Sequence, residues 1–335
     1  MDSVNSPSTV LVTGGAGYVG SHTAKVLARA GYSVVVYDNL SRGFREAVRW
    51  GPFEEGDLHD TARVRQVLER YRVGAVLHFA ALAYVGESMQ KPELYFHNNV
   101  VGTLSLLSAM RDAGVRRLVF SSTCAVYGTP QILPIEESNP KAPESPYGES
   151  KLMVEQALNW EGVCHGLQWV ALRYFNAAGC DADGEIGENH SPETHLIPSL
   201  LEAALGRRPA CAIFGDDYPT PDGTCIRDYV HATDLGAAHV LALKYLESGG
   251  SSTQVNLGTG HGYSVKQILT AAEAVVGQPI PIVQQPRRPG DPPKLVAAAG
   301  KAQSLLGWKL EHSAIENILA TAWRWASRKS AVLAG

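Results

Sequence analysis

Thr13-Gly14-Gly15-Ala16-Gly17-Tyr18-Val19-Gly20 decides the fold through what stands on either side of it. Upstream, Thr9 to Thr13 is a short β-branched run that reads as a buried strand, and downstream Tyr18 to Ala30 has the length and apolar spacing of a helix. A glycine turn that closes a strand and opens a helix is the context of a dinucleotide fingerprint. Glycines permit the tight turn and let backbone N–H groups approach a pyrophosphate, whose charge the positive helix end also favours. A plain glycine-rich turn has the same composition, so the flanking elements carry the inference.

Working outward, Ser33 to Tyr37, Ala75 to Phe79 and Arg117 to Ser121 read as further strands, with helices at Thr61 to Tyr71 and Pro92 to Ala113. Strict alternation of strand and helix implies a parallel sheet covered on both faces, a Rossmann-type doubly wound α/β fold. Asp38 ends the second strand, where a carboxylate accepts hydrogen bonds from the adenosine ribose and repels a 2′-phosphate, so NAD is expected rather than NADP. Arg42 argues the other way, because an arginine accepts a phosphate.

Asn139 to Pro146 is a loop in which Ser145 caps a helix and Pro146 takes its first position, the helix running to about Trp160. After the apolar run Gln168 to Arg173 the chain turns to short elements rich in Gly, Pro and Asp. The expected organisation is a dinucleotide-binding domain over residues 1–175, joined by parts of the C-terminal half around 225–246, and a smaller α/β substrate domain over 176–335. Asp234 to Tyr245 reads as a helix apolar enough to pack on the first domain.

Inside the helix that begins at Pro146, Tyr147-Gly148-Glu149-Ser150-Lys151 puts a phenol and an ammonium four residues apart, on one helix face. Taking a proton from a sugar hydroxyl near neutral pH asks a Tyr of pKa about 10 to ionise roughly three units lower, about 4 kcal/mol. One ammonium at about 5 Å in an effective dielectric of about 20 supplies roughly 3 kcal/mol before any burial cost. Lys151 alone is marginal, and an oxidised nicotinamide would add the remaining positive charge. Ser121-Ser122-Thr123 ends a strand just ahead of this helix, where Thr123 is placed either to bond the reacting oxygen or to satisfy the strand end.

Composition narrows the partners. The 335 residues are 45% hydrophobic and 19% charged, ordinary for a globular enzyme, and the net charge of -4 with no Lys/Arg run excludes the positive field that nucleic acid or an anionic membrane requires. Five cysteines, an odd number without C-x-x-C spacing, speak against a disulfide framework or zinc site and for a reducing compartment. Met1 to Ser8 is a polar tail unlike a secretory leader, and no segment is apolar for long enough to span a bilayer, so a cytoplasmic location is expected.

Taken together, the Thr13 to Gly20 loop and the Tyr147/Lys151 pair resemble the extended short-chain dehydrogenase/reductase family, over about Thr9 to Trp308. The stretch Phe214-Gly215-Asp216-Asp217-Tyr218-Pro219-Thr220-Pro221-Asp222-Gly223-Thr224-Cys225-Ile226-Arg227-Asp228-Tyr229-Val230-His231 resembles that family's UDP-sugar 4-epimerase branch, as do Arg173-Tyr174-Phe175-Asn176 and Arg287-Arg288-Pro289-Gly290-Asp291. The resemblance implies an NAD-dependent isomerase that interconverts UDP-galactose and UDP-glucose through a 4-keto sugar, with Thr123, Tyr147 and Lys151 catalytic. NAD contacts would come from Gly14, Gly17, Tyr18, Val19, Gly20, Asp38, Asn39, Asp57, Leu58, Phe79, Ala80, Ala81, Asn98, Ser121, Tyr147, Lys151 and Phe175. Asn176, Arg227 and Arg288 would hold the UDP part and Asp291 the uridine ribose, with His195, Leu196, Ala212, Phe214 and Leu295 completing the substrate set beside Thr123 and Tyr147. A homodimer built through helices of the first domain is also implied.

Three positions depart from the branch's best-known pattern. Ala83 replaces a Lys beside the cofactor, His195 an Asn, and Leu295 a Tyr that would narrow the sugar pocket, so N-acetylated UDP-hexosamines are expected to be admitted too. A nucleotide-sugar 4,6-dehydratase begins with the same oxidation but carries Asp-Glu after its active-site Thr, where this chain has Cys124-Ala125. A decarboxylase on a related sugar and a catalytically silent NAD sensor are the other readings.

Overall fold

The computed structural model describes residues 8–288 and 291–333. Met1 to Pro7 of the polar tail, Pro289 and Gly290 of the arginine stretch, and the last two residues of the expected second domain lie outside the described residues. By its internal contacts the chain divides into two units: residues 1–126, 143–173 and 236–255, and residues 127–142, 174–235 and 256–335.

The first unit is organised by a seven-stranded sheet. Its first six strands are β1 (Thr9–Thr13), β2 (Ser33–Asp38), β3 (Phe53–Glu55), β4 (Ala75–His78), β5 (Arg117–Thr123) and β6 (Gln168–Tyr174), and Thr253–Leu257 completes it. Across the sheet the order is Thr253–Leu257, β6, β5, β4, β1, β2, β3, with β4·β5, β1·β4, β1·β2 and β2·β3 all parallel. The β-branched runs are buried because both faces are covered. Leu11, Val35, Val76, Leu118 and Phe120 meet Val64, Val67 and Leu68 of helix Thr61–Arg70, and Leu106, Leu107 and Met110 of helix Gly102–Asp112. Each such fully buried side chain contributes about 1.5–3 kcal/mol.

The four early strands and the helices at 18–29 and 61–70 form where the spacing predicts them, within a residue or two. The short strand β3 had no signal of its own in the sequence. The expected continuous helix from Pro92 to Ala113 is instead interrupted: Pro92–Tyr95 is α-helical, Phe96–Val101 is a π turn, and Gly102–Asp112 resumes the α-helix. A π turn inserts a residue without disturbing apolar spacing enough to be read, and such turns collect at functional sites. Helix Pro146–His165 begins as expected, the Ser145 side chain accepting from the Gly148 N–H, but runs five residues past Trp160 to Gly166, whose φ of 72° suits a left-handed cap.

The second unit is built from short elements around its own core. Strand Asn176–Ala178 pairs with Tyr229–His231, Cys211–Phe214 with Ile282–Gln285, and Ile226–Arg227 lies between Tyr263–Ser264 and Lys294–Leu295. Ile197, Leu200, Leu201, Ile268, Ile318 and Leu319 from three helices close the core. The division differs from the sequence expectation at two segments. Residues 127–142 join the second unit because Ile135 exchanges backbone hydrogen bonds with Val296 and Ala298, and Asn256 bonds both Tyr127 and the Ile135 carbonyl. Helix Ala232–Glu247 contributes to the first unit only from Gly236 onward, where its Gly236 faces Val26 and Thr23 without room for a side chain.

Candidate active site

The glycine turn follows the carboxyl end of β1. Gly14 has φ +71°, and a Cβ there would stand 2.4 Å from the Ala80 nitrogen; one on Gly20 would stand 2.3 Å from the Gly14 carbonyl oxygen. No larger residue fits either place, so the backbone forms a cradle that only glycine allows. The helix that begins at Tyr18 has Gly17 as its cap, with no side chain bonding its first N–H groups. That bare helix end suits an anion.

Asp38 sits at the end of β2, 8% exposed, with Oδ2 accepting from the Ala16 N–H at 3.0 Å and Oδ1 from the Leu40 N–H at 2.8 Å. Burial raises its pKa, and these two N–H groups oppose the rise. The carboxylate is thereby tied to the glycine turn. Asn39 donates to Asp57 at 2.8 Å, and Asp57 also accepts from the His59 N–H at 2.9 Å. Burial pushes Asp57 up, but the His59 and Asn39 bonds outweigh it and leave the carboxyl below its ordinary value. Arg42, the residue that argued for a phosphate, is held by both oxygens of Glu87 at 2.9 and 3.0 Å and stacks on Tyr84. Its charge is already matched.

Phe79, Ala80 and Ala81 follow β4, with the Phe79 ring 4.5 Å from that of His239, and Leu58 is buried near the end of β3. Asn98 lies in the π turn and donates to Asn99. Asn99 was not singled out in the sequence, yet it is the fastener here: 2% exposed, it accepts from the Leu82 N–H at 2.8 Å and donates to the Leu82 carbonyl and to Ser150 Oγ, both at 3.0 Å. Ser150 donates to the Tyr147 carbonyl, so the loop after β4, the π turn and the Tyr147 helix are joined through one amide. Two adjacent Asn residues inside an apolar helical pattern were the available signal.

Lys151 is 3% exposed and donates to the Ser121 carbonyl at 2.8 Å, with its ammonium 4.8 Å from the Phe120 ring centre. Burial lowers its pKa to about 7, although the Glu155 carboxylate opposes the fall. The amine that the sequence treats as a full positive charge is therefore one whose charge burial opposes. Burial and the Lys151 charge also push His78 down to about 3, so the His78 ring is a neutral bridge between Thr13 and Thr103. Beneath Lys151, Glu155 accepts from Ser122 at 2.6 Å and forms an ion pair with Arg173, both partners almost fully buried. Thr123, 7% exposed, accepts from the Ala125 N–H at 3.2 Å, a role that leaves its hydroxyl proton to donate.

In the second unit the Arg and Asp that the sequence treats separately meet: Arg227 forms an ion pair with Asp291 and donates to the Ile226 carbonyl at 2.8 Å. Those bonds engage two of the five guanidinium N–H groups. Leu295 stands opposite Arg227 in the parallel pairing of their strands. Arg288 lies 3.9 Å over the Phe214 ring, and Ala212 shares the strand Cys211–Phe214. Asn176 donates its N–H to the Asp228 carbonyl, and the neighbouring Phe175 N–H donates to Leu257. Asp228, missed in the sequence, anchors this part by accepting from Thr259, Gly260 and Ala297. His195 caps helix Leu196–Ala204 and bonds Glu188 through Nδ1 at 2.5 Å.

The glycine turn, the alanines after β4 and the Ser121 carbonyl that Lys151 holds all stand at carboxyl ends of three neighbouring strands, where open α/β sheets bind ligands. That arrangement defines a Rossmann-type dinucleotide-binding protein. Comparison with known sequences agrees: the profile of the NAD dependent epimerase/dehydratase family matches residues 10–258, and the chain belongs to that family. It is 52% identical over 322 residues to the UDP-glucose 4-epimerase of Rhizobium leguminosarum bv. trifolii, covering 96% of this chain and 98% of that one. Among solved structures, UDP-glucose 4-epimerase from Brucella ovis in complex with NAD superposes with a TM-score of 0.93 at 51% identity, over 95% of this chain and 98% of that one. The Bifidobacterium longum enzyme in complex with NAD+ and UDP gives 0.92 at 39% identity, over 96% and 99%.

Proposed function

We propose that this chain is an NAD-dependent UDP-glucose 4-epimerase, an isomerase that interconverts UDP-galactose and UDP-glucose. The observation that carries the reading is the glycine cradle backed on Ala80 in the same unit as the Tyr147/Lys151 helix. The cradle fits NAD: Gly14 and Gly20 let the turn pack directly on the backbone at Ala80 and on itself, the tight geometry a pyrophosphate-binding turn needs, and Asp38 offers a carboxylate where a 2′-phosphate would be repelled. Gly14, Gly17, Tyr18, Val19 and Gly20 would hold its pyrophosphate, Asp38, Asn39, Asp57 and Leu58 its adenosine half, and Phe79, Ala80, Ala81, Asn98, Ser121, Lys151 and Phe175 the remainder.

When bound, NAD supplies the oxidant for sugar C4, the return of reducing equivalents to the opposite face, and a positive ring beside the phenol. Tyr147 removes the O4 proton as C4 is oxidised and gives it back on reduction, while Thr123 donates a hydrogen bond to the same oxygen. Lys151, whose charge burial opposes, supplies only part of the positive charge that proton removal from the sugar needs, so the step depends on the cofactor's charge as well. Asn176, Arg227 and Arg288 hold the UDP group, with Asp291 on the uridine ribose and on Arg227, so the 4-keto sugar turns while its nucleotide stays fixed. His195, Leu196, Ala212 and Phe214 complete the substrate set. Leu295 in place of a Tyr leaves space for an N-acetyl group, so the N-acetylated UDP-hexosamines are further substrates.

Incubating purified protein with UDP-galactose and no added coenzyme tests the reading. UDP-glucose as product supports it; a 4-keto-6-deoxy sugar would make the chain a dehydratase, and no turnover an NAD-binding sensor. We further assign a homodimer, supported by the exposed Leu104, Met153, Trp160 and Val163 on helices Gly102–Asp112 and Pro146–His165, an apolar set that a partner copy would cover. Light scattering of the purified protein at twice the chain mass supports this, and a monomer refutes it. A cytoplasmic location is in keeping with five free cysteines, and no helix among the described residues is long and apolar enough to cross a membrane.

A further inference from the structure

Glu188, His190, Glu193 and His195 lie on the segment leading into helix Leu196–Ala204, and the proposed reaction leaves the first three without a task. One ligand atom from each, a carboxylate oxygen or an imidazole nitrogen, falls within 4.8 Å of all the others. His190 Nδ1 stands 3.4 Å from Glu188 Oε1 and 3.4 Å from Glu193 Oε2. In a tetrahedral zinc site with bonds of about 2.0–2.1 Å, neighbouring ligand atoms are about 3.3–3.4 Å apart, so two edges of such a site are already formed. The third measured edge, from His195 Nδ1 to Glu188 Oε1, is 2.5 Å and would open by roughly 0.9 Å to match that tetrahedral edge. The His195 side chain is 46% exposed and has room for that movement.

We propose that Glu188, His190, Glu193 and His195 form a binding site for one divalent transition ion, zinc foremost. Imidazole and carboxylate ligands suit zinc among the available ions, and two carboxylates neutralise its charge. The Glu188 and Glu193 side chains are only 4% and 6% exposed, and a pair of carboxylates so withdrawn from water requires a cation. The acidic ligands are also held from behind, since Trp325 Nε1 donates to the Glu188 carbonyl at 3.0 Å, Arg208 to the Glu193 carbonyl at 3.1 Å, and the His195 N–H to Glu193 Oε1 at 2.8 Å. A bound ion would tie together both ends of the segment and fix the His195 ring at the start of the helix.

The test is metal binding by the full chain after chelator treatment, read by equilibrium dialysis with Zn2+ and by the visible spectrum with Co2+. One equivalent per chain and a four-coordinate Co2+ spectrum are expected. His190→Gln and Glu193→Gln, checked for folding by circular dichroism, should each weaken binding by at least about tenfold. Failure of the wild-type chain to take up an equivalent, or unchanged binding in both folded variants, would overturn the proposal. None of these readouts involves turnover, so the metal site and the epimerase reading stand or fall separately.

Discussion

Replacing Lys151 with Met should make the cofactor-free protein more stable at neutral pH while removing its activity. Burial lowers the Lys151 pKa from 10.5 to about 7. A difference of that size corresponds to about 4–5 kcal/mol by which the fold at pH 7 disfavours this side chain relative to the unfolded chain. Against that gain stand the lost bond to the Ser121 carbonyl, about 1.5–3 kcal/mol, and up to about 1 kcal/mol from the Phe120 ring. A net stabilisation of about 0–3.5 kcal/mol follows, centred near 2 kcal/mol. The sign of the pH dependence is fixed by the depressed pKa: between about 7 and 10.5 the unfolded wild-type chain binds a proton that the folded chain does not. Wild-type stability from this group therefore rises with pH toward 10.5, and is lost as pH falls through 7. The Met variant lacks that slope, so its advantage should shrink by about 1.4 kcal/mol per pH unit across the window. Urea unfolding of both cofactor-free proteins near pH 6.5, 8 and 9.5 reads the effect directly. A variant less stable than wild type near neutrality, or an advantage that grows with pH, would refute the reasoning. Epimerase activity should fall by at least about 10²-fold.

Other perturbations address other parts of the account. Gly20→Ala places a Cβ 2.3 Å from the Gly14 carbonyl oxygen, so the purified variant should lose bound NAD, measured by release on denaturation, while keeping its circular dichroism. Retention of a full equivalent would refute the cradle. Arg173→Met leaves Glu155 buried without its cation and should destabilise the fold by about 3–5 kcal/mol in urea; a loss under about 1 kcal/mol would show the pair to be dispensable. Leu295→Tyr should lower kcat/KM for UDP-N-acetylgalactosamine at least about tenfold relative to UDP-galactose, and equal losses on both would remove Leu295 from specificity.

How far the sequence could be read depended on whether a feature was local. The strand, glycine turn and helix of residues 9–29, and the Ser145 cap before Tyr147, express themselves within a few residues, and the structure forms them there. The π turn at Phe96–Val101 escaped because apolar periodicity fixes which face is buried and tolerates one inserted residue. Asn99, Glu155 and Asp228 escaped for a different reason: each is defined by partners 17 to 69 residues away, such as Leu82 for Asn99 and Ala297 for Asp228. Lys151 shows the limit most clearly. Its position is legible from a four-residue spacing, whereas its lowered pKa comes from burial that only the assembled sheet creates. The Arg227–Asp291 pair was likewise two separate residues until the strands at 226 and 294 were laid side by side.

The central claim, that Tyr147 works with a retained cofactor to take sugar C4 through a ketone and back, is tested most directly by the fate of a C4 label. UDP-galactose deuterated at C4, incubated with the purified protein and no added coenzyme, should yield UDP-glucose that keeps its deuterium at C4. Product in which the label has exchanged with solvent would contradict the account.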